Sequence, residues 1–226
     1  MSPVAADRYR KLCQIYGGEV LQRKVWLIPH SVETRFRYTG EEKYREIICV
    51  GRWGDEISKR PKLLTSVVSR LLEVDDQVVV KIVGEFTEFL VDWHKGLNAR
   101  LSRRISLLGR VNRQELASML ARARVFYSSS AFESFCIAAG EALCCGCSVV
   151  ANRSVAMPAF EWFVSTNSGR LSSTDSVDGH VEAIQNELAS WDNGKRDAAA
   201  IATQWCKSLH APEIAQSIVK HPIFLD

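Results

Sequence analysis

The stretch VFYSSSAFESFCIAAGEALCCGCSVVA, residues 125–151, contains a strand, a helix and a second strand in close succession. Val125–Ser128 and Cys147–Ala151 are short apolar runs of the length that buried strands have. The segment between them, Phe135–Cys145, is predicted to be helical. A strand, a helix and a strand in this order are typical of a parallel sheet covered by helices.

The alternation continues on both sides of this stretch. Further strands are predicted at Lys24–Ile28, Glu46–Val50, Gln77–Val83 and Arg104–Leu108. Helices are predicted at 4–16, at Leu63–Leu72 and at Phe86–Ala99, and Pro61 is expected in the first turn of the second of these. A further helix is predicted to begin after Asn112, which can cap it together with Glu115. From Thr174 onward two helices are predicted, with Asp192-Asn193-Gly194 as the turn between them. The pattern predicts an α/β fold, a Rossmann-like doubly wound parallel sheet, in one domain spanning residues 1–226. In such a sheet, ligands bind beyond the carboxyl ends of the strands.

Composition narrows the class of protein. The chain has 226 residues, 46% of them hydrophobic and 24% charged, with a net charge of +3, which gives no argument for a nucleic-acid partner. The N-terminus has no apolar signal region, and no apolar run approaches the ~20 residues of a membrane span, so a cytoplasmic protein is expected.

The cysteines do not indicate a metal site by their spacing. Seven cysteines, an odd number, are typical of reduced thiols in a cytosolic protein. The run Cys144-Cys145-Gly146-Cys147 lacks a second Cys/His pair at the usual zinc spacing, so buried thiols are favoured and no metal is expected.

Basic residues follow the strand that Gly51 closes. Gly51-Arg52-Trp53 is followed by Lys59-Arg60-Pro61-Lys62. Fixed cations at the carboxyl edge of a sheet suit a diphosphate, because they offset the charge that develops on a leaving group. The alternative is that Lys59, Arg60 and Lys62 form a solvated loop.

Two carboxylates flank the helix at Phe135–Cys145. Glu133 precedes the helix and Glu141 lies on it. A helix N-terminus favours phosphate, and carboxylates accept hydrogen bonds from sugar hydroxyls, so the pair fits a nucleotide sugar. The alternative is a helix cap at Glu133 and a surface charge at Glu141.

In order, the motifs are GRW…KR, IVGE, LLGRV, SSSAFESFCIAAGEALCCGCSVVA and NSGRL. This order resembles the donor-binding domain of family 4 glycosyltransferases, retaining enzymes of the GT-B fold, over roughly residues 24–172. The double-glutamate segment is the most specific element. The resemblance implies that the chain is the C-terminal half of a GT-B fold, with residues 1–23 as an interdomain remnant and 174–226 as C-terminal helices.

The resemblance also implies a role for each matching residue. Arg52 and Lys59 would grip the diphosphate of a UDP- or GDP-sugar without metal or other cofactor, and Glu133 would bind the transferred sugar. Glu141 would hold the ribose. The remaining binding positions are the backbone of Phe135, Cys136 and Ile137 at the phosphate or sugar, and Gly84 with the Gly109–Val111 loop at the base.

The chain departs from the family pattern at several positions. Cys136 stands where the family has a glycine, and Arg60 lies at the glycine of the family's Lys-Gly step. His30-Ser31 replaces an Asn-Gly pair, and no catalytic role is expected for His30.

The acceptor-binding N-terminal domain of the GT-B fold has no counterpart in the sequence. A longer chain or a partner subunit is therefore expected to supply it. Two other functions are compatible with these residues: a non-catalytic nucleotide-sugar-binding or interaction module, and half of a sugar-nucleotide epimerase or phosphorylase.

Overall fold

The computed structural model describes residues 2–23, 25 and 27–220. Within them, six strands alternate with helices. The strands are β1 Tyr44–Val50, β2 Val79–Val83, β3 Ile105–Leu107, β4 Ala123–Ser128, β5 Ser148–Asn152 and β6 Gly169–Ser172. The helices are α1 Pro3–Arg23, α2 Glu56–Lys59, α3 Pro61–Val74, α4 Glu88–Gly96, α5 Ala99–Ser102, α6 Arg113–Arg122, α7 Ile137–Cys144, α8 Pro158–Phe163, α9 Val177–Asp192, α10 Ala198–Leu209 and α11 Ala211–Val219.

All six strands are parallel and lie in the order β3-β2-β1-β4-β5-β6. Strands β2 and β3 extend the sheet on one side of β1, and β4, β5 and β6 extend it on the other side. The direction of winding therefore reverses between β1 and β4, and this reversal opens a crevice at the carboxyl edge of the sheet. The predicted Rossmann-like α/β sheet is confirmed.

Each face of the sheet has its own core, because successive strand residues point to opposite sides. On β1, Ile48 belongs to the core that contains residues of α6, α7 and α10. Ile47 and Cys49 belong to the other core, with residues of α3 and α9. The sheet is thus covered on both faces, which explains why its strands read as continuous apolar runs.

Two glycines bring the ends of β1 and β2 into contact. A Cβ at Gly84 would lie 1.9 Å from the carbonyl oxygen of Gly51, and the φ of Gly84 is 125°. The amide of Gly84 also donates to the carbonyl of Gly109 at 2.8 Å. Glycine is therefore required at 84, where the loops beyond the first three strands meet.

Several predicted elements differ from those observed. The helix predicted at Phe86–Ala99 is two helices, α4 and α5, because Asn98 caps a new helix through its side chain. The two predicted C-terminal helices are three, since the backbone is extended at His210 and Pro212 starts α11. Strand β6 and helix α8 were not predicted, because both are short and β6 (GRLS) is mostly polar.

The strand predicted at Lys24–Ile28 is not formed by the residues that can be described. Lys24 and Trp26 lie outside the described residues, while Val25, Leu27 and Ile28 belong to no strand. The carbonyl of Val25 accepts instead from the Arg10 side chain of α1, at 3.3 Å. Val25 thus contacts a helix and not the sheet.

The segment expected to be an interdomain remnant is helical over Pro3–Arg23, with a break at Gly18, where φ is 68°. Arg8 anchors α1 to α8 through Glu161 at 2.8 Å. In the part of the chain that the structure describes, no helix has the length and apolar character needed to cross a membrane.

Candidate functional site

The loops that follow β1 and β4 are joined to each other at the crevice. The hydroxyl of Ser129 donates to the carbonyl of Lys59 at 2.7 Å, and the amide of Ala131 donates to the carbonyl of Ser58 at 2.8 Å. These bonds hold the basic segment after β1 directly against the serine-rich segment after β4. The two sequence motifs that suggested a ligand site are therefore neighbours.

Arg60 also stabilises this junction. Its Nε donates to the carbonyl of Ser129 at 2.7 Å, and its guanidinium pairs with Asp175 at 2.7 Å. Arg60 has a left-handed backbone, with a φ of 50°. Such a conformation favours glycine, which is the residue expected there by resemblance.

Lys59 and Glu133 form an ion pair at the centre of the crevice. Their side chains are 16% and 12% exposed, so the pair is shielded but reachable. Ser130 Oγ also donates to Glu133 Oε1, at 2.9 Å. Lys59, predicted to bind the diphosphate, and Glu133, predicted to bind the sugar, therefore lie together, and each side chain is the ion-pair partner of the other.

The other cations of this loop differ from Lys59. The side chain of Lys62 is 73% exposed, and its nearest carboxylate is Glu56 at 3.6 Å. Arg52 is exposed, and within the described chain its guanidinium makes no hydrogen bond or ion pair. Trp53 beside it is buried and donates from Nε1 to the carbonyl of Val83 at 3.0 Å. Arg52 is thus free to meet a ligand, whereas Trp53 supports the loop.

The N-terminus of α7 faces the same crevice. No side chain of the described residues caps it, so its first backbone amides remain available. Its N-cap is Cys136, which has a φ of 59°. Arg60 and Cys136 are the two non-glycine residues with positive φ among the described residues, and both stand at glycine positions of the family pattern. Burial raises the pKa of the Cys136 thiol to about 12, so this thiol is not a nucleophile.

The side chains of neighbouring residues support this N-terminus. Phe135 is buried and packs edge-on against the exposed His30, with ring centroids 4.9 Å apart, and against Phe163. Ile137 is exposed beside the first free amides of α7. His30 therefore contacts the site through its imidazole ring, and its side chain makes no hydrogen bond to the residues that the structure describes.

Glu141 lies one helical turn further along α7 and is buried, with its side chain 2% exposed. Arg113 donates from Nη2 to Glu141 Oε1 at 2.5 Å and from Nε to Glu33 Oε1 at 2.9 Å. Burial raises the pKa of Glu141, although Arg113 opposes the shift. Hydrogen bonding from Arg113 lowers the pKa of Glu33.

Arg113 was not singled out from the sequence. It is the first residue of α6, whose start was predicted from the Asn112–Glu115 capping box. Nothing in the local pattern distinguishes it from other helix-surface arginines, because its partners come from distant loops. Its ring contact with Phe36, 4.5 Å from guanidinium to centroid, also joins it to the segment before β1.

Gly84, Gly109 and Val111 lie at the carboxyl ends of β2 and β3, on the same edge as the crevice. Gly109 has a φ of 52°, and Val111 is half-buried against the core under α7. They adjoin the junction of the β1 and β4 loops through the contact between Gly84 and Gly51. All predicted site positions thus lie on one edge of the sheet.

A buried polar chain supports the junction from below. The hydroxyl of Tyr127 on β4 is 3.1 Å from His180 Nδ1, and His180 Nε2 is 3.2 Å from Asp175, the partner of Arg60. A carboxylate only accepts, so Nε2 carries the proton and Nδ1 accepts from Tyr127. Burial lowers the pKa of His180. These hydrogen bonds position Asp175, which in turn holds Arg60 and the loop that carries Lys59.

Comparisons with known proteins identify the family of the chain. The profile of the family described as "Glycosyl transferases group 1" matches residues 31–204, which include both loops and α7. A curated relative, the tRNA-queuosine alpha-mannosyltransferase of Drosophila melanogaster, is 28% identical over 152 residues, covering 67% of this chain and 40% of its own length.

Solved structures share the fold. The pneumococcal O-GlcNAc transferase in complex with UDP and GlcNAc has a TM-score of 0.71 at 19% identity, over 95% of this chain and 43% of that one. A lipopolysaccharide outer core galactosyltransferase has a TM-score of 0.67 at 16% identity, over 91% of this chain and 57% of that one. The chain therefore spans less than two thirds of the length of each of these proteins.

Proposed function

Because the chain belongs to the group 1 family of glycosyl transferases, we propose that it is a donor-binding domain for a nucleoside diphosphate sugar. In this proposal it serves retaining transfer to an acceptor that another domain or subunit holds. The observation that carries the proposal is the Lys59–Glu133 pair at the crevice, beside the uncapped N-terminus of α7.

The diphosphate is assigned to the cations and the helix N-terminus. Lys59 and the exposed Arg52 supply positive charge on one side, and the free amides of Cys136 and Ile137 supply hydrogen-bond donors on the other. This arrangement stabilises the charge that develops on the leaving diphosphate without a metal ion. Donor binding then requires Lys59 to exchange Glu133 for a phosphate oxygen.

The sugar and the ribose are assigned to the two glutamates. Released from Lys59, Glu133 accepts hydrogen bonds from hydroxyls of the transferred sugar. Arg113 holds Glu141 in a fixed orientation, in which the carboxylate accepts from the ribose hydroxyls. The loop around Gly109 and Val111, with Gly84, frames the base.

The proposed chemistry needs no protein nucleophile. In front-side attack the acceptor hydroxyl approaches the face that the diphosphate leaves, through a short-lived oxocarbenium-like pair. The role of Arg52 and Lys59 is then to stabilise the departing diphosphate, and that of Glu133 is to orient the sugar. Retention of configuration follows from this geometry of attack.

The acceptor site lies outside the chain in this proposal. Relatives are longer than this chain, which covers 40% of the mannosyltransferase and 43% of the O-GlcNAc transferase. We therefore expect donor binding by the chain alone and efficient transfer only with an acceptor-binding domain or a partner subunit. The relatives are named for different sugars, so a panel of donors must decide the sugar.

Isothermal titration calorimetry with UDP, GDP, ADP and their sugars in EDTA tests the proposal. We expect micromolar-to-millimolar binding of UDP or GDP, or of their sugars, which added divalent metal does not strengthen. Absence of heat with every nucleoside diphosphate would overturn the proposal.

Two observations favour a non-catalytic binding module as the second candidate. Lys59 and Glu133 neutralise each other, and side chains occupy two expected glycine positions, at Arg60 and Cys136. Donor binding is common to both candidates, so transfer must separate them. Supplying an acceptor-binding domain from a relative and following release of nucleoside diphosphate makes that distinction: release supports the transferase, and binding without release supports the module.

A further inference from the structure

A set of soft ligand atoms lies between α7 and α10, outside the crevice. The sulfurs of Cys144 and Cys206 and one ring nitrogen of His210 all lie within 4.8 Å of one another. Cys144 ends α7, Cys206 lies on α10, and His210 follows α10 directly. We propose that Cys144, Cys206 and His210 form a zinc site with three protein ligands.

The fold brings a Cys/His pair to Cys144, whereas the sequence around the cysteine run at 144–147 contains no such pair. Cys206 and His210 are four residues apart, a spacing that places two side chains on one face of a helix. That face packs against α7, which presents Cys144 from 62 positions earlier in the chain. The ligands thus consist of a local Cys-x3-His pair and one distant thiol.

A backbone carbonyl fixes the tautomer of the His210 imidazole. His210 Nε2 lies 2.9 Å from the carbonyl oxygen of Phe36. A carbonyl only accepts, so Nε2 carries the proton and the lone pair is on Nδ1. Donation of the second ring N–H to a backbone carbonyl is the arrangement that fixes the tautomer of metal-binding histidines.

The distances fit zinc after a small contraction. In a tetrahedral site with Zn–S bonds of about 2.3 Å and Zn–N bonds of about 2.0–2.1 Å, ligand atoms are about 3.5–3.8 Å apart. A spread of up to 4.8 Å therefore needs a closure of about 1 Å, which rotations of the side chains can supply. The thiol of Cys206 now donates weakly to the carbonyl of Cys144 at 3.6 Å, a contact that zinc would replace.

The burial of the three ligands leaves one side of the site accessible. Cys144 is fully buried, while Cys206 and His210 are half-buried, so a metal has an entry path from the α10 side. Three protein ligands leave a fourth position for water. Two thiolates and an imidazole are a ligand set that zinc prefers over magnesium or calcium.

The ion would join α7 and α10 to the segment before β1. His210 holds the Phe36 carbonyl, and the backbone of Val32 bonds to both sides of His210, at Leu209 and Ala211. That segment carries Glu33, the partner of Arg113. Zinc at this position would therefore stiffen the support of Glu141 without touching a ligand in the crevice.

Metal titration of the whole chain tests the proposal. The protein is reduced with a phosphine, stripped with EDTA, desalted and titrated with Co²⁺, then with Zn²⁺. We expect one equivalent of Co²⁺ to produce a thiolate-to-cobalt charge-transfer band that Zn²⁺ abolishes, and zinc to raise the melting temperature.

Single substitutions locate the site. Cys206→Ser and His210→Gln should each weaken zinc binding by at least about 100-fold, because loss of groups that merely orient a ligand already costs about 10–100-fold. Both residues are half-buried, and the melting temperatures of the metal-free variants check that they fold. Cys145→Ser, adjacent to Cys144, and Cys13→Ser, on α1, are matched controls that should bind zinc like the parent chain.

Three results would overturn the proposal. They are the absence of a charge-transfer band, zinc binding that survives Cys206→Ser, and equal loss in the Cys145→Ser control. If the reduced chain takes up no metal, and if dissolved oxygen then oxidises Cys144 and Cys206 to a disulfide once the phosphine is removed, the two thiols are a redox pair instead.

Discussion

The ammonium group of Lys59 is bonded to the carboxylate of Glu133, 74 residues further along the chain. The bond connects the loop after β1 to the loop after β4, across the point where the winding of the sheet reverses. Each group thus holds the other in a fixed orientation in a partly shielded place. A phosphate that binds Lys59 must compete with Glu133, and this competition gives opposite predictions for the two residues.

Lys59→Ala should weaken binding of a nucleoside diphosphate about ten- to over a hundred-fold, which is the value of a charge-assisted hydrogen bond of about 1.5–3 kcal/mol. Arg52→Ala should have an effect of the same kind. Binding of the matching nucleoside should hardly change. Calorimetry with both ligands measures the difference, and Lys62→Ala is the control, since Lys62 is exposed and its ion pair is long. A larger loss for Lys62→Ala would move the phosphate contact to that residue.

Glu133→Gln should leave nucleoside diphosphate affinity unchanged or raise it, because Lys59 no longer has to leave a carboxylate. The same substitution should weaken the sugar-bearing donor, since an amide accepts less strongly from sugar hydroxyls. Comparing UDP or GDP with its sugar by calorimetry separates the two effects. An equal loss for both ligands would show that Glu133 acts only in holding the loops together.

The site illustrates what the sequence can and cannot predict. Strands closed by Gly51, Gly84 and Gly109 were predictable, because buried apolar runs followed by glycine have a local signature. The partners of the acidic residues were not. Arg113 reaches Glu141 and Arg60 reaches Asp175 only because separate loops meet at one edge of the sheet, and local patterns contain no information on such pairs.

The fold shows the same limit. The apolar run at 24–28 has the composition of a strand, yet its describable residues lie beside helices, since pairing in a sheet depends on neighbours that local propensity does not specify. Strand β6 was missed for the opposite reason. Its four residues are mostly polar, and pairing with β5 defines it.

Gly84→Ala should destabilise the protein by about 3–5 kcal/mol, because the added Cβ collides with backbone and the position has a positive φ. Gly194→Ala is the matched control. Its φ of 66° is also positive, but nothing lies within 4 Å of the added atom, so only the backbone strain of about 1–2 kcal/mol remains. Urea unfolding measures both variants. Similar losses would mean that the contact between Gly84 and Gly51 relaxes easily.

Arg113→Met should destabilise the protein by about 1–3 kcal/mol, because it leaves the carboxylate of Glu141 buried without a partner. The expected loss of stability is smaller than for a fully buried ion pair, since the Arg113 side chain is 46% exposed. Adding Glu141→Gln to Arg113→Met should recover part of the loss. A double-mutant cycle in urea measures the coupling, and additive losses would show that the two residues act independently.

Stability should fall as the pH decreases below the ordinary histidine pKa of 6.5, because burial lowers the pKa of His180. The folded state disfavours the imidazolium, so the unfolded state binds more protons in this range. Stability therefore decreases as the pH falls from 6.5 to the lower pKa of His180 in the folded state. Asp175 contributes only at lower pH, since pairing with Arg60 lowers its pKa below 3.8. His180→Phe should be less stable at pH 8, where Tyr127 loses its acceptor, and the difference should narrow toward pH 5. His30→Asn, at an exposed histidine, is the control, and parallel pH profiles for parent chain and His180→Phe would contradict the prediction.

Glu141→Gln should weaken binding of ribonucleotides and largely spare their 2′-deoxy forms. A hydrogen bond to a charged group contributes about 1.5–3 kcal/mol, and the deoxy ligand has already lost part of it. The comparison is sharp because Arg113 fixes the carboxylate of Glu141, so a neutral amide changes the charge with little change in shape. Calorimetry with UDP, GDP and their 2′-deoxy forms gives the four affinities needed. Arg113→Lys is the companion variant: it keeps a cation beside Glu141 but not the fork that holds it, and should show a smaller loss with the same ribose dependence. If ribo and deoxy ligands weaken equally in Glu141→Gln, the carboxylate supports the crevice without contacting the ribose.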